Sequence, residues 1–304
     1  MKTFSILSAK GALHLALAAA ALYGCSGKTP DFDACGQVEA TEVVVSAESN
    51  GRIISLNVPE GARLSKGQYV GAIDSMQIYL QKMELIRRRQ NATSRIVDIE
   101  KQTAAQKARL GNLKKDRERY DNLLAKDAGT RKQLDDVESQ IAVSEGELDA
   151  QIQSYEKNNA GVEAELGMYD VQIAQKEDML RKCRIVSPVE GTVLTRYAEE
   201  GETVTSGKPV FRIADLDNIY VRAYLTVSQL AGIKLGSKVK VYPDDGSREM
   251  KEYEGEVVWI SGQAEFTPKN IQTRDERADL VYAVKIALRN NGYIKIGMYA
   301  YVKL

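Results

Sequence analysis

Between Ser75 and Lys182 apolar and polar positions alternate in steps of three and four, and the stretch contains no proline. In its second part Leu134, Ile141, Leu148, Tyr155, Val162 and Tyr169 recur every seven residues, with Ile152, Asn159, Leu166, Ile173 and Leu180 at the complementary positions. Such a repeat keeps one stripe of a helix facing a partner, which is the seam of a coiled coil. In the first part Ile96, Ile99, Thr103, Gln106, Leu110, Leu113, Tyr120 and Leu124 answer it. The pattern predicts one long antiparallel pair of helices that reverses at Lys126-Asp127-Ala128-Gly129. Thr130 and Gln133 then have the S/T-x-x-Q spacing of a capping box opening the second arm. Arms of about 50 residues reach roughly 75 Å at about 1.5 Å per residue, so the pair reads as a spacer. Arg117, Glu138, Glu145 and Asn159 are polar residues at seam-type positions. They fit arms that also face neighbours or water, and equally a register-setting role within the pair.

The stretches on either side of this rod are copies of one another. Gly51, Gly61, Gly67, Val70 and Ile73 match Gly191, Gly201, Gly207, Val210 and Ile213 at a constant offset of 140 residues. Each copy alternates short β-rich runs with glycine turns, and neither is long enough to bury a core alone. Packed face to face they make one small β-sandwich with the rod inserted between its halves. After Asp215 short strands are predicted over 219–227, 238–242, 255–260, 281–288 and 300–304, separated by turn signals such as Asp244-Asp245-Gly246 and Asn290-Asn291-Gly292. Closely spaced strands of this kind predict a small β-barrel.

The N-terminus changes where this architecture is placed. Lys2 and Lys10 precede an alanine-rich apolar run over 12–22, and Leu22-Tyr23-Gly24-Cys25 follows, a signal peptide ending at a candidate lipidation site. An uncleaved anchor or an ordinary signal peptide is the alternative, although the run is short for a spanning helix, which needs roughly 20 residues. Acylation of Cys25 would tether the mature chain to a membrane facing an extracytoplasmic space. Ser26 after the cysteine is the one residue that points toward outer-membrane sorting, and it weighs less here than the order of the domains. The 304 residues carry 42 basic and 42 acidic side chains, and removal of residues 1–24 leaves 40 against 42. A balance this even gives no field for nucleic acid. Of the other cysteines, Cys35 and Cys183 could pair in an oxidising space, and nothing in their spacing shows that they do. The single histidine, His14, lies within the leader, and the chain has no C-x-x-C, phosphate-binding glycine loop, nucleophile motif or metal cluster. No enzymatic activity, cofactor or metal is therefore expected.

The half-motif G-x-(I/V), E-G, (K/S)-G-x-x-V, I resembles the lipoyl/biotinyl domain, and its splitting by a long hairpin is similar to the HlyD-like membrane fusion proteins, the periplasmic adaptors. The resemblance covers nearly all of residues 37–304. Carrier versions of the domain hold their cofactor on a lysine at the turn between the halves; here that turn reads Ile73-Asp74-Ser75-Met76-Gln77, and Lys82 already lies in the helical pattern. Adaptors that dock on TolC-type ducts carry R-x-x-x-L-x-x-x-x-x-x-S at the hairpin tip, and this chain reads Arg119-x-x-x-Leu123-x-x-x-x-x-x-Thr130. The resemblance makes Arg119, Leu123 and Thr130 the docking residues, an arginine for charge-assisted bonds and a leucine for a groove. Arg119 equally fits a solvated helix face, Leu123 the seam, and Thr130 the cap. Gly297-Met298-Tyr299-Ala300 is similar to the family's P-G-M-x-A barrel turn with Ile296 in place of proline, and the segment 265–277 resembles one found in adaptors of ABC-type exporters.

The expected fold is α+β: a signal peptide over 1–24, a lipidated linker over 25–36, sandwich halves over 37–74 and 183–214, the hairpin over 75–182 and the barrel over 215–304, with a membrane-proximal domain reduced or absent. The resemblance implies a lipid-anchored adaptor on the periplasmic face of the inner membrane of a Gram-negative bacterium. It implies self-association into a ring, a hexamer in the family, between an inner-membrane exporter and a TolC-like channel. The alternatives are an adaptor of a proton-driven RND pump, a lipoyl or biotin carrier, and a structural coiled-coil lipoprotein.

Overall fold

A computed structural model describes residues 32–246, 250–266 and 280–304. In chain order the strands are β1 (Ala34–Ser46), β2 (Gly51–Leu56), β3 (Arg63–Leu64) and β4 (Tyr69–Ile73). Three helices follow, α1 (Met76–Thr93), α2 (Ile99–Leu124) and α3 (Arg131–Lys182), then β5 (Arg184–Val186), β6 (Gly191–Arg196), β7 (Thr203–Val204) and β8 (Pro209–Thr226). The chain ends with α4 (Val227–Leu230), β9 (Lys238–Pro243), β10 (Tyr253–Ile260), β11 (Glu265–Phe266), β12 (Leu280–Arg289) and β13 (Tyr299–Lys303). Two compact units result, one over Val43–Ile213 and one from the residues up to Glu42 with Ala214–Leu304, and the boundaries fall within β1 and β8.

The first unit holds the sandwich and the hairpin. One sheet has the order β5-β4-β2-β7, and in the facing ladder β8, β6 and β3 are neighbours. The two repeat copies are interlocked: β2 of the first copy pairs with β7 of the second, and β3 of the first with β6 of the second. The 140-residue offset reappears in the hydrogen bonds. The Gly61 N–H donates to the Val193 carbonyl (2.8 Å) and the Gly201 N–H to the Ile53 carbonyl (2.9 Å). Likewise Gly67 donates to Ser187 (2.7 Å) and Gly207 to Ala47 (2.8 Å). Gly61 and Gly201 sit at φ 83° and 91°, a conformation that costs a side-chain-bearing residue more than glycine. Each copy thus completes the other's ladder. Ile53, Ile73, Phe211 and Ile213 are fully buried at its centre.

The second unit is a barrel closed by six strands in the order β1-β8-β12-β10-β9-β13 and back to β1. Its interior follows the period of two: along β8, Ile219, Val221, Ala223 and Leu225 are buried and alternate with exposed or half-buried residues. The first strand of the ring begins at Ala34, within the segment expected as a linker, and pairs with β13 from Ala34↔Val302 to Gln37↔Tyr299. Gly36 permits the close passage of β1 over β8, because a Cβ there would lie 2.3 Å from the Arg222 carbonyl oxygen. Strands β9, β10, β12 and β13 fall within two residues of the ranges predicted from the sequence.

Candidate functional site

The hairpin rises directly from the sandwich. β4 ends at Ile73, and the Asp74 carboxylate accepts the Met76 N–H (3.1 Å) at the start of α1. The turn at which a carrier domain would hold its lysine is therefore taken up by a helix start. Lys82 lies on α1, and its ammonium is paired with Glu177 of α3 at 2.7 Å. A lipoyl or biotinyl attachment point has no lysine here to use.

Along the shaft the two arms are joined by paired charges as much as by apolar contacts. Arg89 meets Asp170 (2.6 Å), Arg95 meets Glu165, Lys114 meets Glu145 (2.8 Å) and Arg117 meets Glu138 (3.3 Å). The hydrogen bond to Asp170, with its charge, raises Arg89 above its ordinary range. Exposed pairs of this kind are each worth about 0–1 kcal/mol, so they fix register more than they stabilise. Leu134, Ile141 and Val162 of the heptad are buried, and so is Val137, while Leu148, Tyr155 and Tyr169 are half-buried.

The first arm is not continuous, contrary to the sequence expectation. α1 ends at Thr93 and α2 starts at Ile99, and Ile96, expected in the seam, lies in the interruption with 40% of its surface exposed. Asp98 caps α2: its carboxylate accepts the Lys101 N–H (3.2 Å) and pairs with the Lys101 ammonium (2.8 Å). The hydrogen bonds from Lys101 hold Asp98 below the usual carboxylate range. The stability this cap contributes is present above the unfolded carboxylate pKa and is lost as pH falls through the lowered folded value. Opposite the break, the Asn159 amide oxygen accepts the Val97 N–H (2.9 Å), and its NH2 donates to the Val97 carbonyl (2.8 Å). One seam asparagine thereby satisfies both backbone groups of Val97. Asn159→Leu should lower hairpin stability by about 1 kcal/mol, since the backbone groups of Val97 are part-buried and an unpaired group costs about 1–3 kcal/mol only when buried. The Val97 amide should then exchange with solvent faster; unchanged protection there would show that the clamp is dispensable.

At the tip the predicted reversal is found. The Leu123 carbonyl accepts both the Lys126 N–H (3.1 Å) and the Ala128 N–H (2.9 Å), and Asp127 takes a left-handed conformation at φ 52°. Thr130 is the N-cap of α3, with both bonds of the capping box to Gln133 present. Arg119 projects from the last turns of α2 with 71% of its side chain exposed, in an i,i+3 pair with Asp116 (3.2 Å). Leu123 is half-buried beneath the reversal, where a Cβ on Gly129 would approach its own Cβ to 3.2 Å. The three motif residues thus occupy the free end of the rod in three different settings. Cys25, and the segment 265–277 apart from Glu265 and Phe266, lie outside the described residues. Cys183, buried, and Cys35 both carry thiols. The capped break leaves no mark in the apolar pattern, because Ala92 and Ile99 are seven residues apart and the pattern runs through it without a slip. Asp98 directly before Ile99 and Glu100 was its N-cap signal. Among the described residues no helix is long and apolar enough to cross a membrane.

Comparison with known proteins places this geometry. The model of the CzcB-like barrel-sandwich hybrid domain matches residues 41–215. A UPF0194 membrane protein of Yersinia enterocolitica is 29% identical over 298 residues, covering 90% of each chain. The UPF0194 membrane protein in the asrC 5′ region of Acidithiobacillus ferridurans is 29% identical over 285 residues, 86% of this chain and 83% of the relative. Among solved structures, a membrane fusion protein of Streptococcus pneumoniae superposes with a TM-score of 0.52 at 19% identity, over 88% of this chain and 96% of that one. MacA of Actinobacillus actinomycetemcomitans gives 0.51 at 20% identity, over 88% and 76%.

Proposed function

The chain belongs to the CzcB-like barrel-sandwich hybrid family and has the fold of the HlyD-like membrane fusion proteins, and from that premise we propose that it is a non-catalytic periplasmic adaptor linking an inner-membrane ABC-type exporter to a TolC-like outer-membrane duct. The observation that carries this reading is the rod. α3 has 52 residues, which at about 1.5 Å each span roughly 78 Å. The rod is held in register by its own side chains and ends in a compact, solvent-exposed reversal. Such an element supports spanning a gap and docking end-on, and it offers no chemistry of its own. Copies associate as a ring, a hexamer by resemblance, with the hairpins side by side. The likeness of the segment 265–277 to adaptors of ABC exporters favours that partner over an RND pump. Cys25, acylated, would hold each copy at the inner membrane.

The test is purification of the full-length protein from native membranes in mild detergent, with mass spectrometry of what accompanies it. An ATP-binding subunit with its permease and an outer-membrane duct are expected. An RND pump in their place would reassign the inner-membrane partner, and the absence of any duct from crosslinked material would overturn the adaptor reading.

A further inference from the structure

Halfway along the rod the hairpin is put together differently from the rest. Below this level Arg89 pairs with Asp170, and above it Lys114 pairs with Glu145. From one pair to the other the first arm advances 25 residues and the second runs back 25, so the non-helical stretch 94–98 neither adds to the register nor subtracts from it. An unbroken helix would fit the same place. The break is therefore not forced by a mismatch of length; it is set by the residues. Ile96 and Val97 are β-branched, the Thr93 hydroxyl donates to the Arg89 carbonyl (3.0 Å), and the Ser94 hydroxyl donates to the Asn91 carbonyl (2.7 Å), local bonds that compete with a helix.

What joins the two halves of the first arm is slight. The main-chain bonds of α1 run out at Ile96, whose N–H donates to the Thr93 carbonyl (3.2 Å), and those of α2 begin at Asp98, whose carbonyl accepts the Gln102 N–H (3.0 Å). Val97 between them is held by the Asn159 amide. Two bonds to one residue fix where the chain passes and leave the direction of α2 open. Arg95 pairs with Glu165 on the base side, through an exposed contact of the weak kind. The second arm is weakest at the same level: Lys157-Asn158-Asn159-Ala160-Gly161 brings together three poor helix formers, and a Cβ on Gly161 would meet nothing within 4 Å. Packing is thin there too. Leu134, Val137 and Ile141 are buried toward the tip and Val162 toward the base, while every α3 residue over 142–161 is exposed or half-buried. Ala92 and Thr103, the buried residues of the first arm on either side of the break, are small. Few buried apolar contacts beside an interrupted hydrogen-bond ladder mark a level of low local stability.

We propose that the rod is two stiff segments joined by a flexure at this level, with Val97 and Asn159 as the pivot, about which α2 and the outer part of α3 tilt against α1 and the base of α3. The flexure is a property of the hairpin itself. Its use, aiming the tip at a duct that stands off the axis of the base, rests on the adaptor reading.

The test uses the purified full-length chain with nitroxides carried on a ketone-bearing amino acid, so that the cysteines stay in place, and double electron–electron resonance to read the spread of distances. One pair of labels joins Glu147, beyond the flexure, to Arg52 in the sandwich; the other joins Gln172, short of the flexure, to Arg52. At about 1.5 Å per residue Glu147 lies roughly 20 Å past Gly161, so a bend of about 20° carries it sideways by roughly 7 Å. The Glu147 distance is expected to spread over several ångströms more than the Gln172 distance. Asn158→Ala with Gly161→Ala, which puts two better helix formers at the flexure, should narrow that spread toward the width of the Gln172 pair and raise the melting temperature by a few degrees. Gly167→Ala, at a second open helical glycine, should leave the spread unchanged. Equal spreads in the parent chain, a spread unmoved by the paired alanines, or one narrowed as much by Gly167→Ala would overturn the proposal. Neither export nor a partner enters these measurements, so the adaptor reading is tested apart from them, by what co-purifies.

Discussion

A chain carrying Arg119→Ala is expected to fold, reach the membrane and co-purify with its inner-membrane partner, and yet export nothing above the level of a strain lacking the gene. In the isolated protein the side chain does little: its pair with Asp116 is exposed and lies within one helix, worth a few tenths of a kcal/mol at about 0.3–0.5. Its loss should leave the melting temperature and the helical signal unchanged. At a docked tip the same guanidinium would be an anchor, and arginine anchors at interfaces account for losses of roughly 30- to 1000-fold in affinity when truncated. The neighbouring positions separate docking from folding. Thr130→Ser keeps an N-cap of equal quality and should export normally, whereas Thr130→Ala should cost about 1 kcal/mol of hairpin stability through the lost cap. Leu123→Ala should affect both, because the Leu123 side chain is half-buried against Gly129 at the reversal. Normal export by Arg119→Ala would remove the tip motif from the mechanism. Loss of the helical signal in that variant would mean that Arg119 is structural.

What could be read from the sequence was what repeats. The heptad from Leu134 to Tyr169, the capping box at Thr130 and the 140-residue offset are local or periodic signals, and each reappears as burial, a cap or a symmetric hydrogen bond. What could not be read was pairing between distant segments. β1 joins the barrel because Ala34 to Gln37 find β13 some 260 positions away, and no pattern in a short run before Val38 announces that partner. The crossed ladders of the sandwich were hidden for the same reason: two similar halves can lie side by side or interlock, and the repeat fits either. The break at 94–98 escaped because the rule that found the rod is indifferent to it. A heptad counts residues, and the residues stay in step while the backbone leaves the helix. Asn159 marks the place from the other arm, as a polar residue whose partner is a main chain rather than a side chain. The tip residues were legible as a motif, and their three settings were not, since exposure depends on how the reversal folds back over Leu123.

Phe211→Ala should have the largest effect on stability of any single substitution in the sandwich. Phe211 is fully buried and is the mate of Gly71 in the repeat, and the flanking burial pattern is the same in both copies. The one aromatic ring of this core is therefore supplied by one copy alone. Gly71 cannot exchange roles with it, because a Cβ at Gly71 would lie 2.4 Å from the Ser55 carbonyl oxygen. Removing a ring from a packed interior costs about 3–5 kcal/mol through lost transfer energy and the cavity left behind. Against a total of about 5–15 kcal/mol that is a large fraction, and at 150 to 250 residues it corresponds to a fall of roughly 10 °C in melting temperature. The crossed ladders add a sharper expectation. The Ile53 N–H donates to Glu202 (2.8 Å) and the Val193 N–H to Ala62 (2.9 Å), each bond joining one copy to the other. Loss of Phe211 from the second copy should accelerate exchange of both amides by the same factor. If Val193 were exposed while Ile53 kept its protection, the copies would be opening independently and the interlocked sandwich would not be one cooperative unit. If both change together, the base of the hairpin is clamped by a core that neither copy can release alone, and a load applied at the tip is carried into that core as a whole.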